Sequence, residues 1–182
     1  MVVFFGMIAS GKSTLGKAWA ELHRAPYYNT DRVRKELAGL QPTDRRPDAA
    51  DQGIYAIGFT DKTYLAMLQR AATNFSRGEV MVVLDGSYGR RKDREAVRRM
   101  ADAAGVRCVF ILCTCSEEEV QRRLALRARN PEAVSDGRWE IYLRQRDIFE
   151  LPDAAEEADF LRINTERQVG ALLAELRRDL GL

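Results

Sequence analysis

The stretch Gly6-Met7-Ile8-Ala9-Ser10-Gly11-Lys12-Ser13 matches the pattern G-x-x-x-x-G-K-[S/T] at every fixed position. The apolar run Val2–Phe5 precedes it, and a helical pattern begins at Ser13-Thr14-Leu15. A strand, a glycine-bearing loop and a helix in this order are the context in which the pattern binds phosphate. The stretch therefore predicts an α/β fold organised around a phosphate-binding loop.

The residue types in this loop explain the chemistry that it can perform. Its two glycines allow the backbone to turn several N–H groups toward one polyphosphate, and the next helix adds the positive end of its dipole. Lys12 can reach the β- and γ-phosphates, and the Ser13 hydroxyl can coordinate Mg²⁺, with Thr14 the less favoured ligand. ATP and Mg²⁺ are therefore the predicted cofactors. The predicted nucleotide-binding residues of the loop are Gly6, Ala9, Ser10, Gly11, Lys12, Ser13 and Thr14.

The composition is that of one globular domain, predicted to span residues 1–182. A chain of 182 residues with 46% hydrophobic and 31% charged residues can bury one substantial core. The net charge of +2 arises from 29 basic and 27 acidic residues, so it neither indicates nor excludes a nucleic-acid partner. No apolar run approaches the roughly 20 residues that span a bilayer, which predicts a cytoplasmic protein without a membrane partner. The three cysteines lie in or beside one apolar run and are interpreted as reduced, packed thiols.

Hydrophobic periodicity predicts the elements that follow the loop. After the first strand, further strands are predicted at residues 27–29, 80–84, 106–113 and 159–164. A long helix is predicted over residues 54–75, with Leu65 among the side chains that face the core. Five strands are therefore predicted.

Three short patterns predict local features of the helices. Thr30 is a predicted N-cap, and Ser116 with Glu119 forms a predicted capping box. His23 is the only histidine, and it is assigned to a helix end where a cation suits the dipole. The chemistry is therefore predicted to proceed without histidine.

Two polar residues follow the second predicted strand. Asp31 and Arg34 are three positions apart, so they share one face of the helix that begins here, and a parallel sheet places this helix start near the phosphate-binding loop. Asp31 can accept a proton from an attacking hydroxyl, and Arg34 can bind an anionic part of the acceptor. An ordinary surface ion pair is the alternative interpretation. Asp31 and Arg34 are therefore predicted substrate-binding residues, with Asp31 also catalytic.

A second acidic residue, Asp85, is predicted at the end of the buried strand 80–84, on the same rim as the loop. It is predicted either to support Mg²⁺ or to place the acceptor, and capping the following turn is the alternative. A basic run follows between Arg90 and Arg99. It is interpreted as a solvated helix face, with a surface for a polyanionic acceptor as the alternative.

The helix that begins near Ser116 carries arginines on two sides. At about 100° per residue, Arg123 and Arg127 lie one turn apart beside the apolar stripe, whereas Arg122 and Arg129 point away from it. Arg123 and Arg127 are therefore predicted to turn over the nucleotide and to stabilise charge on the transferring phosphoryl group. A uniformly solvated arginine helix is the alternative.

Three further regions complete the predicted site. Residues from about 116 to about 150 form a predicted helical lid, and residues 41–52 form a loop that either closes over substrate or only connects two helices. Asn164 and Thr165 follow the last predicted strand on the same rim. They are predicted to contact the adenine.

Several of these motifs together resemble the P-loop kinases grouped with phage-type polynucleotide kinases and zeta toxins. The likeness is closest to the ATP-binding half of proteins that fuse such a kinase to an aminoglycoside-phosphotransferase-like domain. The motifs that carry it are Gly6 to Ser13, residues 29–37, Val82 to Asp85, Arg123 to Arg127 with Ser135-Asp136, Ile54-Tyr55, Phe59-Thr60 and Thr63-Tyr64.

This resemblance implies a nucleotide-kinase-like three-layer sandwich, with the five-stranded parallel sheet between helices. It also implies that Asp31 is the general base, that Arg34 contacts an acceptor phosphate, and that Arg123 and Arg127 are lid arginines, with the register against Arg122 left open. The sequence contains no phosphotransferase-like or phosphatase domain, so the resemblance does not identify the acceptor.

The predicted function is ATP-dependent transfer of the γ-phosphate to a hydroxyl of a small molecule. The alternative acceptor is a polynucleotide 5′-hydroxyl, favoured by the Asp-x-x-Arg spacing and the basic run. The small molecule is preferred because no stacking platform for single-stranded nucleic acid is recognisable. A nucleotide-switched binding module without acceptor phosphorylation is the alternative from another functional class.

Overall fold

The computed structural model describes residues 1–44, 53–129, 138–157 and 159–182. The predictions on the loop beyond residue 44 and on Ser135-Asp136 lie outside the described residues. The strands are β1 (Val2–Phe5), β2 (Tyr27–Asn29), β3 (Val83–Gly86), β4 (Val109–Thr114) and β5 (Phe160–Asn164). The helices are α1 (Lys12–His23), α2 (Thr30–Leu37), α3 (Ile57–Ser76), α4 (Arg91–Ala103), α5 (Glu117–Ala128), α6 (Trp139–Ile148) and α7 (Val169–Leu180), with a 3₁₀ turn at Gly53–Tyr55.

The five strands form one parallel sheet in the order β2-β3-β1-β4-β5. The first strand is central, and its residue Phe4 is paired with Asp85 on one side and Ile111 on the other. The predicted five-stranded parallel sheet is confirmed. Because all carboxyl ends lie at one edge, the loops that follow β1, β2 and β3 meet there.

The alternation of side chains along β1 divides the core between the two faces of the sheet. Val3 and Phe5 pack with residues of α3 and α4, whereas Val2 and Phe4 pack with residues of α1 and α7. Both phenylalanines are completely buried, and each such side chain stabilises the fold by roughly 1.5–3 kcal/mol. The result is the predicted three-layer sandwich of helices, sheet and helices.

A third, smaller core joins α5 and α6 to the loop after β1. Val120, Leu124 and Tyr142 are buried there against Ile8 and Ala9. These two helices occupy the range predicted as a lid, and their apolar side chains pack on the phosphate-binding loop itself. None of the helices in the described ranges is long and apolar enough to cross a membrane.

Several of the predicted elements begin at other residues, and the strand predicted from residue 106 begins at Val109. The strand predicted from residue 80 begins at Val83, and Val80 is 94% exposed. Both neighbouring strands pair with this strand only from Val83 onward, so earlier apolar residues have no ladder to join. The long helix begins at Ile57, and Leu65 faces solvent while Met67 is fully buried. The prediction for Leu65 was wrong because tertiary packing set the phase of the helix.

The predicted caps are also corrected. Asn29, not Thr30, caps α2 by accepting a hydrogen bond from the Arg32 amide, because the Thr30 hydroxyl donates to the Asp85 carbonyl at 2.8 Å. Ser116 does cap α5, but its own amide donates to Glu166 rather than to Glu119. Only half of the predicted capping box therefore forms.

His23 ends α1 as predicted but is not suited to carry a charge. Its ring packs against Trp19 with centroids 4.4 Å apart. Burial, and then the positive charge of Arg177, lower the pKa of His23 below its usual value. The neutral form is therefore favoured, and a cation at this helix end is a wrong prediction.

Candidate active site

The two motif glycines occupy backbone positions that other residues could not adopt without strain. Gly6 has a φ of 142°, and a Cβ there would lie 2.4 Å from the Cys113 carbonyl oxygen. Gly11 has a φ of 85°, and its Cβ would lie 2.6 Å from the Thr165 hydroxyl. Both positions therefore require glycine, for the backbone conformation and for the close approach of neighbouring strands.

The amino end of α1 is built to receive an anion. The helix begins at Lys12 with no side-chain cap and no acidic residue in its first turn. Its backbone N–H groups and its dipole are therefore available to a phosphate. The Lys12 ammonium donates to the Met7 carbonyl at 3.1 Å, which holds it over the loop, and the Ser13 side chain is exposed.

A cavity of about 790 Å³ extends from this loop across the carboxyl edge of the sheet. Its described walls come from the loop, from α1, α2 and α3, from the turn after β3, and from α5 and α6. Seven cationic and two acidic side chains line it, although the whole chain carries a net charge of only +2. These charged residues are Lys12, Lys17, Arg32, Arg34, Arg90, Arg127 and Arg144, with Asp31 and Asp93. Such an excess of positive charge attracts polyanionic ligands.

The predicted acceptor residues form an ion pair inside this cavity. The Arg34 Nη1 donates to the Asp31 Oδ1 at 2.9 Å. Arg34 is only 7% exposed, and its guanidinium lies over the Tyr55 ring at 5.0 Å from the centroid. Its Nη2 donates to the Thr60 hydroxyl at 3.5 Å. The alternative of an ordinary surface pair is therefore wrong, because the arginine is buried and fixed at the wall of the cavity.

Asp85 lies beneath the cavity, fully buried at the carboxyl end of β3. Its Oδ2 accepts hydrogen bonds from the Tyr27 hydroxyl at 2.5 Å and the Asn29 Nδ2 at 2.6 Å. Its Oδ1 is buried without a hydrogen-bond partner among the described residues. Burial, and then the Asp85 charge, raise the pKa of Tyr27, so the phenol remains a donor.

The surroundings of Asp85 fit a divalent cation. The Asn29 Nδ2 also lies 3.5 Å from the Ser13 hydroxyl, which connects Asp85 to the predicted metal ligand. A buried carboxylate oxygen without a partner and a nearby exposed hydroxyl are the oxygen donors that Mg²⁺ accepts, directly or through its waters. Ser13 and Asp85 are therefore suited to hold Mg²⁺.

The two predicted lid arginines differ in their contacts. Arg123 donates to the Ala9 carbonyl at 3.1 Å, to the Thr165 hydroxyl at 2.9 Å and to the Thr165 carbonyl at 2.7 Å, and it pairs with Glu119. It joins α5 to the phosphate-binding loop and to the turn after β5, and it does not line the cavity. Neither Asn164 nor Thr165 lines the cavity; they lie beside Arg123 at the other side of the loop.

Arg127 does line the cavity and makes no hydrogen bond to the described part of the chain. Burial is the main cause that lowers the pKa of Arg127, while the charge of Asp31 raises it. Arg122 and Arg129 are exposed, as their helical positions predict. The guanidinium of Arg127 is therefore the one on α5 that is available to a ligand in the cavity.

The basic run of α4 is a solvated face only in part, because several of its arginines are buried or paired with carboxylates. Arg94 is 1% exposed and donates twice to Glu157, at 2.8 and 2.7 Å. Arg98 pairs with Glu157 and Asp159. Arg90 lines the cavity but is held by Asp61 and Asp93. The prediction of a solvated face holds for Arg91, Lys92 and Arg99, which are exposed. It was wrong for Arg94, which is buried and neutralised by Glu157 from a distant part of the chain.

Sequence reasoning missed several residues at the site. Tyr27 and Asn29 are two positions apart on β2, and that spacing indicates that both reach the same neighbour. Tyr55, whose ring lies against Arg34, and Gln145, whose Oε1 accepts from the Ile8 amide at 2.8 Å, had no local signal because their contacts depend on the packing of α3 and α6.

A family model described as AAA domain (AAA_33) matches residues 1–152. The chain therefore belongs to this family. Uncharacterised proteins of Mycobacterium bovis and Mycobacterium tuberculosis are 29% identical to it over 143 residues, which cover 78% of this chain. The chain spans 28% of the length of these relatives.

Solved kinase structures share the fold. A sugar kinase from Janibacter superposes with a TM-score of 0.70 at 15% identity, covering 99% of this chain and 93% of that one. The APS kinase of Mycobacterium tuberculosis, solved with AMPPNP and APS, has a TM-score of 0.67 at 17% identity and covers 100% and 97%. A gluconokinase from Sinorhizobium meliloti has a TM-score of 0.61 at 21% identity and covers 99% and 94%. At these identities the likeness establishes the fold.

Proposed function

We propose that this member of the AAA domain family transfers the γ-phosphoryl group of ATP to a hydroxyl of a small anionic molecule. The observation that supports this most is that one cavity is lined both by the phosphate-binding loop and by the buried Asp31–Arg34 pair. Its volume of about 790 Å³ lies within the range of pockets for small molecules. A donor and an acceptor can therefore occupy one enclosed space.

The residues of the cavity have separate roles in this reaction. Lys12 and the amide groups of the loop bind the β- and γ-phosphates, and Arg127 stabilises the charge on the transferring group. Asp31 uses one carboxylate oxygen for Arg34, which leaves the other to accept the proton of the attacking hydroxyl. Ser13 and Asp85 would hold Mg²⁺, and the cation would neutralise charge on the phosphates. Arg123 anchors α5 beside the nucleotide.

Arg34 supports the choice of an anionic acceptor. Asp31 and Tyr55 already fix its side chain, so little conformational entropy is lost when it binds a ligand. Its guanidinium presents several N–H donors in one plane, which suits a carboxylate or a phosphate. The neighbouring folds include a gluconokinase and an APS kinase, so hydroxylated anions are the first acceptors to test.

A polynucleotide 5′-hydroxyl is the second candidate acceptor, after the small molecule. The sequence offered two features for it, the Asp-x-x-Arg spacing and the basic run of α4. Arg90, Arg94 and Arg98 of that run are paired with carboxylates, which reduces the number of phosphate contacts that the run could offer to nucleic acid. The Arg34 site accommodates either acceptor chemistry, and the experiment distinguishes them.

The test is transfer of labelled γ-phosphate from ATP to two sets of acceptors, hydroxylated carboxylates and phosphates in one and 5′-hydroxyl oligonucleotides in the other. We expect label only in the first set, and none with Asp31→Asn, which should still bind ATP. Arg34→Met should raise the KM for an anionic acceptor by about 100-fold. Label on the oligonucleotides would identify a nucleic-acid end kinase, and ATP bound without any transfer would favour a nucleotide switch.

A further inference from the structure

We propose that Tyr27 is a positioning residue that fixes the Asp85 carboxylate for Mg²⁺. This inference rests on the proposed function, because it concerns the metal that accompanies the nucleotide. Tyr27 is not part of the loop motif, and its role follows from the contacts of one buried carboxylate.

The hydrogen bonds to this carboxylate are asymmetric. The donors from Tyr27 and Asn29 both reach Oδ2, while Oδ1 is buried and has no partner in the described ranges of the chain. A buried carboxylate oxygen without a partner is costly, so such an atom indicates a missing cation or water. The two donors therefore fix the orientation of the group, with Oδ1 as the oxygen that lacks a donor.

The available oxygen belongs to a group that is coupled to the nucleotide loop. Asp85 is paired in the sheet with Phe4, on the strand that leads directly into the loop. The Asn29 amide that binds Asp85 is also within 3.5 Å of the Ser13 hydroxyl. A change in the orientation of Asp85 would therefore be felt at the metal ligand.

Tyr27 is the donor whose loss would release the carboxylate. Asn29 has further partners, because it also caps α2 through the Arg32 amide. The Tyr27 hydroxyl has the short bond to Asp85, and removing it leaves Oδ2 with a single donor. The carboxylate could then turn, and the oxygen presented to the cation would no longer be fixed.

The chain contains a matched control at the next position. Tyr28 lies on the same strand, and its hydroxyl accepts a hydrogen bond from Asn74 at 2.6 Å, away from the cavity. Tyr27→Phe and Tyr28→Phe each remove one hydroxyl and a partly buried hydrogen bond. Only the first removes a bond to Asp85, so a general effect on packing would appear in both variants.

The experiment is calorimetric titration of each variant with AMPPNP, in MgCl₂ and in EDTA. We expect that Mg²⁺ strengthens binding to the unaltered chain and that Tyr27→Phe lowers this metal-dependent gain roughly tenfold, the effect typical of groups that orient a metal ligand. The affinity in EDTA and the Tm should match those of Tyr28→Phe. Half-saturation with Mg²⁺ should move to higher concentration in Tyr27→Phe alone.

A double variant tests whether Tyr27 acts through Asp85. Tyr27→Phe combined with Asp85→Asn should bind Mg²⁺-AMPPNP as Asp85→Asn does alone, since the coupled effects are not additive. Three results would each overturn the inference and leave the kinase proposal intact. They are additive losses in the double variant, an unchanged metal dependence in Tyr27→Phe, and an equal effect of Tyr28→Phe. No binding of AMPPNP by the unaltered chain would overturn both.

Discussion

The helices α4 and α5 are both rich in arginine, but the contacts of these arginines differ in the structure. Arg94 and Arg98 on α4 are neutralised by Glu157 and Asp159 from the segment before β5. On α5, Arg127 faces the cavity without a hydrogen bond to the described residues. Arg94 and Arg98 of α4 therefore stabilise the fold through ion pairs, whereas Arg127 of α5 lies at the wall of the cavity.

This comparison shows that the role of a basic run depends on the acidic residues that lie beside it in the folded chain. Glu157, the carboxylate partner of Arg94, is 63 residues away along the chain. Arg123 resembles the arginines of α4, since its side chain is bound by Glu119, by the Ala9 carbonyl of the loop and by the Thr165 carbonyl after β5. Three predictions test this division of roles.

The largest effect is expected from Arg127. Arg127→Met should lower the rate of phosphoryl transfer about 1,000-fold, because it removes from the transferring group a guanidinium that makes no hydrogen bond to the described residues. The Tm should not fall, since no hydrogen bond within the described chain is lost. Steady-state kinetics with the acceptor found in the transfer screen would measure the loss. Arg129→Met, at the exposed C-cap position that follows the helix, should keep full activity, and equal losses in both would contradict the assignment.

Arg94 should affect stability instead of activity. Arg94→Met leaves Glu157 buried with only Arg98 as its partner, and breaking a buried ion pair in this way costs about 3 kcal/mol. Chemical denaturation would measure the change in the free energy of unfolding. Nucleotide affinity should be retained, and Arg99→Met, at an exposed position of α4, should leave stability unchanged. Weaker nucleotide binding with unchanged stability would show that α4 belongs to the site.

The smallest effect concerns the pH dependence of the same ion pair. Hydrogen bonds from Arg94 lower the pKa of Glu157 below its ordinary value of 4.5. Such a carboxylate stabilises the fold fully above the ordinary value, and this contribution is lost as the pH falls through the lower, folded value. The difference in unfolding free energy between the unaltered chain and Glu157→Gln should therefore shrink as the pH is lowered from about 6 to about 3.

The control for that titration is the adjacent acidic residue. Glu156 is 54% exposed and pairs with Arg91 on the surface, where an ion pair contributes little. The free energy of unfolding of Glu156→Gln should differ little from that of the unaltered chain at every pH. If the difference in unfolding free energy between Glu157→Gln and the unaltered chain stays constant from about pH 6 to about pH 3, the lowered pKa of Glu157 does not contribute to stability.

Much of the fold could be predicted because its signals are local. Strand alternation in Val2–Phe5 placed side chains on both faces of the sheet, and the loop pattern specified where glycine is required. The spacing of Asp31 and Arg34 predicted their shared helix face. The strand end at Val80 and the helix face of Leu65 were predicted wrongly, because both depend on packing against residues elsewhere in the chain.

The sequence by itself determined the phosphate-binding loop, the existence of the strands and the side of α5 on which Arg127 lies, because each depends on residues within a few positions of one another. Only the tertiary structure decided which charges are paired and which remain available. The Tyr27 hydroxyl and Asp85 are 58 residues apart, and their contact exists because β2 and β3 are adjacent in the sheet. Contacts of this kind depend on strand order and helix packing, for which the sequence carries no local signal.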